Sequence, residues 1–278
     1  NSIRIYNSEG ELIYNLGNHT TTIYSADIDS TGQYIVSGAI SPAFIFWDAL
    51  KGEFIKYIKG HSDATMAVKF SHDGKKIASG SGDHSIKIWD TANGKEILSL
   101  PGHTKDVYAV SFSREGHYLA SCGKDKMIRV YDLCKGEFLK NLQGHKSFVM
   151  DIAFSKDGNH LISCSFDKEV RIWELATGRM IYSFIDHDDE ITNIAVSPDG
   201  TKIASCSYDK TIKIYHFSKE IIVDYYYRPE ISDIMNKHEL FLPRQKGESR
   251  KEYQERMLRS EEEKMRIYEK FYQKYLQN

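Results

Sequence analysis

The chain has 278 residues, 41% of them hydrophobic and 27% charged, and a formal net charge of −2. That length buries a core with ease, and the near-neutral balance argues against a nucleic-acid protein, which carries a marked basic excess. No apolar run approaches the roughly 20 residues that cross a bilayer, and no Gly-rich phosphate loop or Cys-x-x-Cys pair points to a cofactor or metal.

The first elements are short. "SIRIY" (Ser2–Tyr6) and "ELIYNL" (Glu11–Leu16) alternate apolar and polar residues, the period-two pattern of β-strands. From residue 18 a repeat takes over. His19, His61, His103, His145 and His187 stand 42 residues apart, and Ser37, Ser79, Ser121, Ser163 and Ser205 keep the same interval. So do Trp47, Trp89, Tyr131, Trp173 and Tyr215. Such a period marks a repeat architecture. Within the unit that opens at Gly60, "TMAVKF", "KIASGS", "SIKIWD" and "EILSL" read as four strands, separated by Asp-Gly, Gly-Asp and Asn-Gly turns. A four-stranded sheet cannot bury its apolar faces alone, so neighbouring units must stack. The lysines of "SIKIW" and "TIKIY" read as solvated strand faces. Cys122, Cys164 and Cys206 each follow the repeat serine; they read as small buried hydrophobes in a reducing, cytoplasmic setting.

The stretch "GHSDATMAVKFSHDGKKIASGSGDHSIKIWD" (Gly60–Asp90) resembles a WD repeat, with its Gly-His opening and closing Trp-Asp. The likeness runs over five units, 18–59, 60–101, 102–143, 144–185 and 186–227, with "EIIVDYYY" as the last fourth strand. It implies an all-β fold: a β-propeller of four-stranded antiparallel blades. Five full blades and a half blade over 1–17 fall short of the family's usual seven. The chain therefore reads as a fragment with an open strand edge near Ser2–Tyr6.

A search for serine-hydrolase components finds His61, Ser79 and Asp83, then His103, Ser121 and Asp125, His145, Ser163 and Asp167, and His187, Ser205 and Asp209. An active site is seldom built four times at a structural period. The resemblance implies instead that each trio, with Trp89, Tyr131, Trp173 or Tyr215, forms a hydrogen-bonded brace. The first unit has Ser41 where the aspartate is expected.

Family geometry also selects three positions per blade for the face around the channel: Thr22, Tyr24 and Ile40; Ala64, Met66 and Gly82; Asp106, Tyr108 and Lys124; Phe148, Met150 and Phe166; Glu190, Thr192 and Tyr208. The partner-binding candidates among them are Tyr24, Met66, Tyr108, Lys124, Phe148, Met150, Phe166, Glu190 and Tyr208. Asp106 and Glu190 flank the aromatic group and suit a basic residue on the ligand.

After residue 227 the composition changes. "SRKE" (Ser249–Glu252) is a capping box, and a helix is expected from there to Leu276. Glu252–Arg256, Glu255–Arg259 and Glu262–Arg266 form four-apart pairs. Tyr253, Met257, Leu258, Met265, Tyr268, Phe271, Tyr272, Tyr275 and Leu276 share its apolar face, expected to dock on the propeller or to bind a partner.

The functional expectation is a non-catalytic scaffold that takes a protein or peptide partner, with no cofactor, no metal, no nucleic acid and no membrane. Self-association through the strand edge or the tail helix is a secondary expectation. The alternatives are the regulatory half of a larger enzyme or a structural subunit of an assembly.

Overall fold

The computed structural model describes residues 1–100, 102–243 and 248–277, so residues 244–247 of the expected linker lie outside the described residues. It divides into two compact units, Asn1–Tyr215 and His216–Asn278.

The first unit opens with the antiparallel pair β1 (Ile3–Tyr6) and β2 (Leu12–Leu16). Blade 1 follows as β3 (Ile23–Ile28), β4 (Tyr34–Ala39), β5 (Ala43–Asp48) and β6 (Glu53–Lys59). Blade 2 is β7 (Thr65–Phe70), β8 (Lys76–Ser81), β9 (Ile86–Asp90) and β10 (Glu96–Leu100). Blade 3 is β11 (Val107–Phe112), β12 (Tyr118–Gly123), β13 (Ile128–Asp132) and β14 (Glu137–Leu142). Blade 4 is β15 (Val149–Phe154), β16 (His160–Ser165), β17 (Val170–Glu174) and β18 (Met180–Phe184). Blade 5 has three strands, β19 (Ile191–Val196), β20 (Lys202–Ser207) and β21 (Ile212–His216).

The cores lie between blades. Val36, Phe44, Phe46 and Ile58 of blade 1 pack on Val68, Phe70, Ile77 and Trp89 of blade 2. The same contact recurs between blades 2 and 3, around Ile86, Ile88, Val107, Val110 and Leu119, and between blades 3 and 4, around Ile128, Val130, Val149, Ile152 and Trp173. Leu16 of β2 joins Ile35, Ile45 and Trp47 of blade 1 in the same manner. Each fully buried Ile, Val or Leu contributes about 1.5–3 kcal/mol, so the period-two pattern acts through these faces.

The first strands of successive blades stand side by side but belong to separate sheets. Side chains staple them. Ser25 Oγ accepts the Val68 amide (3.2 Å), Asp27 accepts the Phe70 amide (2.8 Å), and Asp151 accepts the Ile194 amide (3.1 Å). Together the first strands of the five blades line an open central lumen of about 630 Å³.

Two backbone features account for the turns. His84, Lys126, Lys168 and Lys210 all have φ near +70° (70, 67, 73 and 66°), one residue past the repeat aspartate. Left-handed backbone costs a non-glycine residue roughly 1–2 kcal/mol, and four blades accept it at the same place. Blade 1 has Pro42 there, whose ring fixes φ near −65°, so its turn follows another path. Gly52, Gly94, Gly136 and Gly178 lead into the fourth strands of blades 1 to 4, each with φ of 70–75°.

That second feature corrects the reading of the last repeat. "EIIVDYYY" (Glu220–Tyr227) is not a fourth strand: it lies in α1 (Lys219–Lys237). No glycine stands between Tyr215 and Glu220 to make the turn, and Val223 and Ile231 bury against Ile267, Tyr268 and Phe271 at helical spacing. The unit boundary accordingly falls at Tyr215 rather than at 227.

The second unit is α1, a 3-10 turn (Glu239–Phe241) and α2 (Arg250–Gln277). The capping box forms: the Ser249 amide donates to Glu252 (2.8 Å), and the Glu252 amide to Ser249 Oγ (3.2 Å). The apolar face differs from expectation. Ile267, Tyr268, Phe271 and Ser260 are buried, while Leu258, Met265 and Leu276 are exposed. At about 100° per residue, those three lie roughly 160–180° from Ile267. Arg256 does not pair with Glu252. Its planar fork takes Glu248 through two bonds (2.8 and 2.9 Å), and it donates to the carbonyls of Leu240 and Leu242 (3.1 and 2.7 Å). Among the described residues no helix is long and apolar enough to cross a membrane.

A Cβ on Gly123 would stand 2.1 Å from the Asp106 carbonyl oxygen, whereas one on Gly17 would meet nothing within 4 Å. Gly123→Ala is therefore expected to lower stability by about 3 kcal/mol, and Gly17→Ala by no more than about 0.5 kcal/mol. Urea unfolding of the two variants checks this, and equal midpoints would contradict it.

Candidate functional site

Every repeat histidine is buried. In blade 2, His61 Nε2 meets Ser79 Oγ at 2.7 Å, Trp89 Nε1 donates to the same oxygen at 2.8 Å, and His61 Nδ1 meets Asp83 at 3.0 Å. Blade 4 repeats this with His145, Ser163, Trp173 and Asp167 at 2.7, 2.8 and 2.8 Å. The indole N–H can only donate, so the serine hydroxyl must pass its own proton to the imidazole, and Nδ1–H then donates to the aspartate. Blade 1 keeps His19–Ser37 (2.6 Å) and Trp47–Ser37 (2.8 Å). Its Ser41 hydroxyl bonds locally to the Ala43 amide (3.3 Å).

The two tyrosine blades depart from this pattern in different ways. In blade 5, His187 reaches Ser205 (2.7 Å) and Asp209 (2.6 Å), but the buried Tyr215 hydroxyl facing Ser205 makes no well-formed hydrogen bond. In blade 3, His103 Nε2 meets Ser121 at 2.7 Å, and Arg129 Nη1 stands 2.7 Å from His103 Nδ1. A guanidinium has donors and no acceptor, and His103 Nδ1 also stands 3.0 and 3.1 Å from the two Asp125 carboxylate oxygens, so Arg129 and the imidazole crowd onto one carboxylate. Tyr131 takes the place of the indole beside Ser121, and a phenol can accept as well as donate where an indole only donates. Asp125 is satisfied by Arg129 (2.8 Å) and the Thr104 amide (3.1 Å).

The sequence reading missed Arg129, because its place in β13 matches the lysines of "SIKIW" and "TIKIY". Those positions are not simply solvated. Arg129 and Arg171 are buried, and Lys87 lies over the Trp89 ring and bonds Glu96 at 2.6 Å. Cys122 and Cys164 are buried free thiols, and burial pushes both well up from the ordinary thiol range. Blades 1 and 2 place Gly38 and Gly80 at the same position.

Burial pulls His19, His61 and His103 below the usual histidine range. Burial alone would raise Asp167, but bonds from His145 and the Lys146 amide hold it at about 2. Asp83 is lower still: burial opposes, and Ser85 with the Ser62 amide prevails.

The face positions are joined in pairs by the backbone. The Ile40, Gly82, Lys124, Phe166 and Tyr208 amides donate to the Thr22, Ala64, Asp106, Phe148 and Glu190 carbonyls at 2.9–3.0 Å. Across blades 3 to 5 the rings of Tyr108, Phe148, Phe166 and Tyr208 form a row with centroid spacings of 6.3, 5.9 and 6.1 Å. Tyr208 is 60% exposed. Tyr24, Met66 and Met150 join Tyr108 at the edge of the lumen. Asp106 is less available than expected, since it pairs with Lys124 (3.0 Å) and lies 3.9 Å from His84.

Two measurements test the braces. Nitrogen-15 shifts are expected to show His61 protonated at Nδ1, where it donates to Asp83, and His61 protonated at Nε2 instead would refute this reading of the brace. Because the three histidines are held below about 6.5, the unfolded chain takes up more protons as pH falls, so their stabilisation is complete above that pH and lost beneath it. Asp167, at about 2 against roughly 3.9 unfolded, adds stability present above pH 4 and lost between about pH 4 and 2. Urea midpoints are expected to hold from pH 8 to 7, fall from 6.5 to 5, and fall again below 4.

A profile for the WDR3 first beta-propeller domain matches residues 44–217, and one for the WD domain, G-beta repeat, matches residues 10–48. No curated protein matches the chain. Domains of this kind generally act as protein-interaction scaffolds and are typically non-catalytic. Its antiparallel blades, 42-residue braces and profile match over more than half its length place the chain in the WD-repeat β-propeller family.

Proposed function

We propose that the chain is a non-catalytic scaffold that binds a protein or peptide partner on the face carrying Tyr108, Phe148, Phe166 and Tyr208. The observation that carries this reading is the continuous row of rings across three blades. Aromatic groups are enriched at interface centres, where desolvating them contributes most. Met66, Met150 and Tyr24 extend the apolar area toward the lumen. Glu190, whose carbonyl holds the Tyr208 amide, is the acidic group beside the row. A ligand with a lysine or arginine next to an apolar segment fits this arrangement, the cation lying over a ring face near that carboxylate. Asp106, already paired with Lys124, marks the other end of the row rather than a second cation site.

The His–Ser–Asp sets do not compete with this reading. Ser79, Ser121, Ser163 and Ser205 are at most 2% exposed, and a nucleophile needs an open line to its substrate.

Peptide display on the immobilised chain tests the proposal. Selected peptides are expected to combine apolar residues with lysine or arginine, and Phe148→Ala with Phe166→Ala to weaken their binding at least 100-fold. The melting temperature of the double variant is expected to change by only a few degrees. Peptides that keep wild-type affinity for the double variant would refute the face assignment.

A further inference from the structure

The first strands carry different chemistry at their two ends. Six residues of strand span about 20 Å, so the hairpins that follow β7, β11 and β15 lie at the far end of the lumen from the aromatic row. At one position of the 42-residue repeat these hairpins place His72, Arg114 and Lys156, and all three border the lumen. Among the described residues, none of the three forms an ion pair with this chain.

The acids next in sequence to them are turned away. Asp73 accepts Ser71 Oγ (2.6 Å) and the Lys75 amide (3.1 Å), and Asp157 accepts Ser155 Oγ and the Asn159 amide (3.0 Å). Neither borders the lumen, and neither does Glu115 of blade 3. Deeper in, Lys69 is neutralised by Asp27 at 3.1 Å. Asp151 is the carboxylate on the wall among the described residues, and it already accepts the Ile152 and Ile194 amides (2.9 and 3.1 Å). The hairpins thus place Arg114 and Lys156 at the lumen, while Asp73 and Asp157 are held in their own turns.

We propose that this mouth of the lumen binds a small molecule bearing several phosphate groups. Three donors stand at equivalent positions on three adjacent blades along the lumen wall, which suits a ligand carrying several tetrahedral oxyanions better than a single planar carboxylate with its two acceptors. The Arg114 fork pairs with phosphate oxygens through two bonds, and Lys156 adds a point charge. A volume of about 630 Å³ lies in the range of small-molecule sites. Cations set in a walled opening focus the field on an entering anion, and added salt weakens that attraction. The site is independent of the aromatic face.

Calorimetric titration of the full chain with tripolyphosphate, inositol hexakisphosphate and a hexaglutamate peptide tests the proposal. Inositol hexakisphosphate is expected to bind, hexaglutamate at least 10-fold more weakly, and tripolyphosphate shows whether inorganic phosphate suffices or an organic scaffold is needed. Arg114→Glu with Lys156→Glu is expected to weaken binding at least 30-fold. Arg114→Gln with Lys156→Gln, milder for folding, is expected to weaken it about 10-fold, and Phe148→Ala with Phe166→Ala to leave it unchanged. The proposal fails if neither phosphate compound binds, if the glutamine variant binds as tightly as the wild type, or if hexaglutamate binds equally well.

Discussion

A buried imidazole with either nitrogen unpaired destabilises a fold by about 1–3 kcal/mol, and each of the five blades buries one at the repeat position. The ring sits in the loop before the first strand, its serine in the second strand, and the indole or phenol in the third. In blades 2 to 5 an aspartate in the following turn completes the set. Satisfying one side chain therefore positions a loop, two strands and a turn at once. The strand-to-strand backbone bonds maintain each sheet, but the imidazole sets how its upper corner closes. Once that corner is closed, the carbonyl three residues past the histidine meets the amide just before the aspartate, and the surface around the lumen follows.

The same backbone accommodates different hydrogen-bonding partners. Replacing an indole by a phenol, with an arginine in place of a lysine two residues earlier, brings a guanidinium onto the His103–Asp125 pair while His103 keeps Ser121. Blade 1 shows another tolerance: Pro42 and Ser41 replace the aspartate turn, yet Ser37 still receives both His19 and Trp47. Blade 5 leaves a phenol poorly satisfied. The repeat specifies a shape more strictly than it specifies which residues complete each brace.

What was legible in the amino-acid sequence was whatever obeys a period. His, Ser and Trp or Tyr at 42-residue intervals disclosed the blades and the braces, and the Ser249–Glu252 capping box disclosed where α2 begins. The last repeat was misread because Lys219-Glu220-Ile221-Ile222 copies Lys95-Glu96-Ile97-Leu98, the run that opens β10, almost residue for residue. A local pattern cannot tell strand from helix over four residues; the absent turn glycine was the usable signal. The Asp106–Lys124 pair was also hidden, because repeat geometry places both residues on one face without saying that their side chains meet. Arg129 was overlooked because alternation says which side of a strand a residue takes, not whether that side is covered.

The rings of blades 3 to 5 stand at positions whose backbones are already bonded in pairs, the Phe166 amide to the Phe148 carbonyl and the Tyr208 amide to that of Glu190. Surface side chains usually surrender rotamer freedom when they are covered, about 0.5–1.5 kcal/mol for each one immobilised. An aromatic ring has only two rotatable bonds to lose, and these rings lean on one another before anything arrives. Such a surface is preorganised: it has little entropy left to give up on association, so a modest contact area suffices for measurable affinity. The corollary is kinetic. Where rings are already in place, a partner's release needs no reordering of them, and residence is set by the contacts themselves.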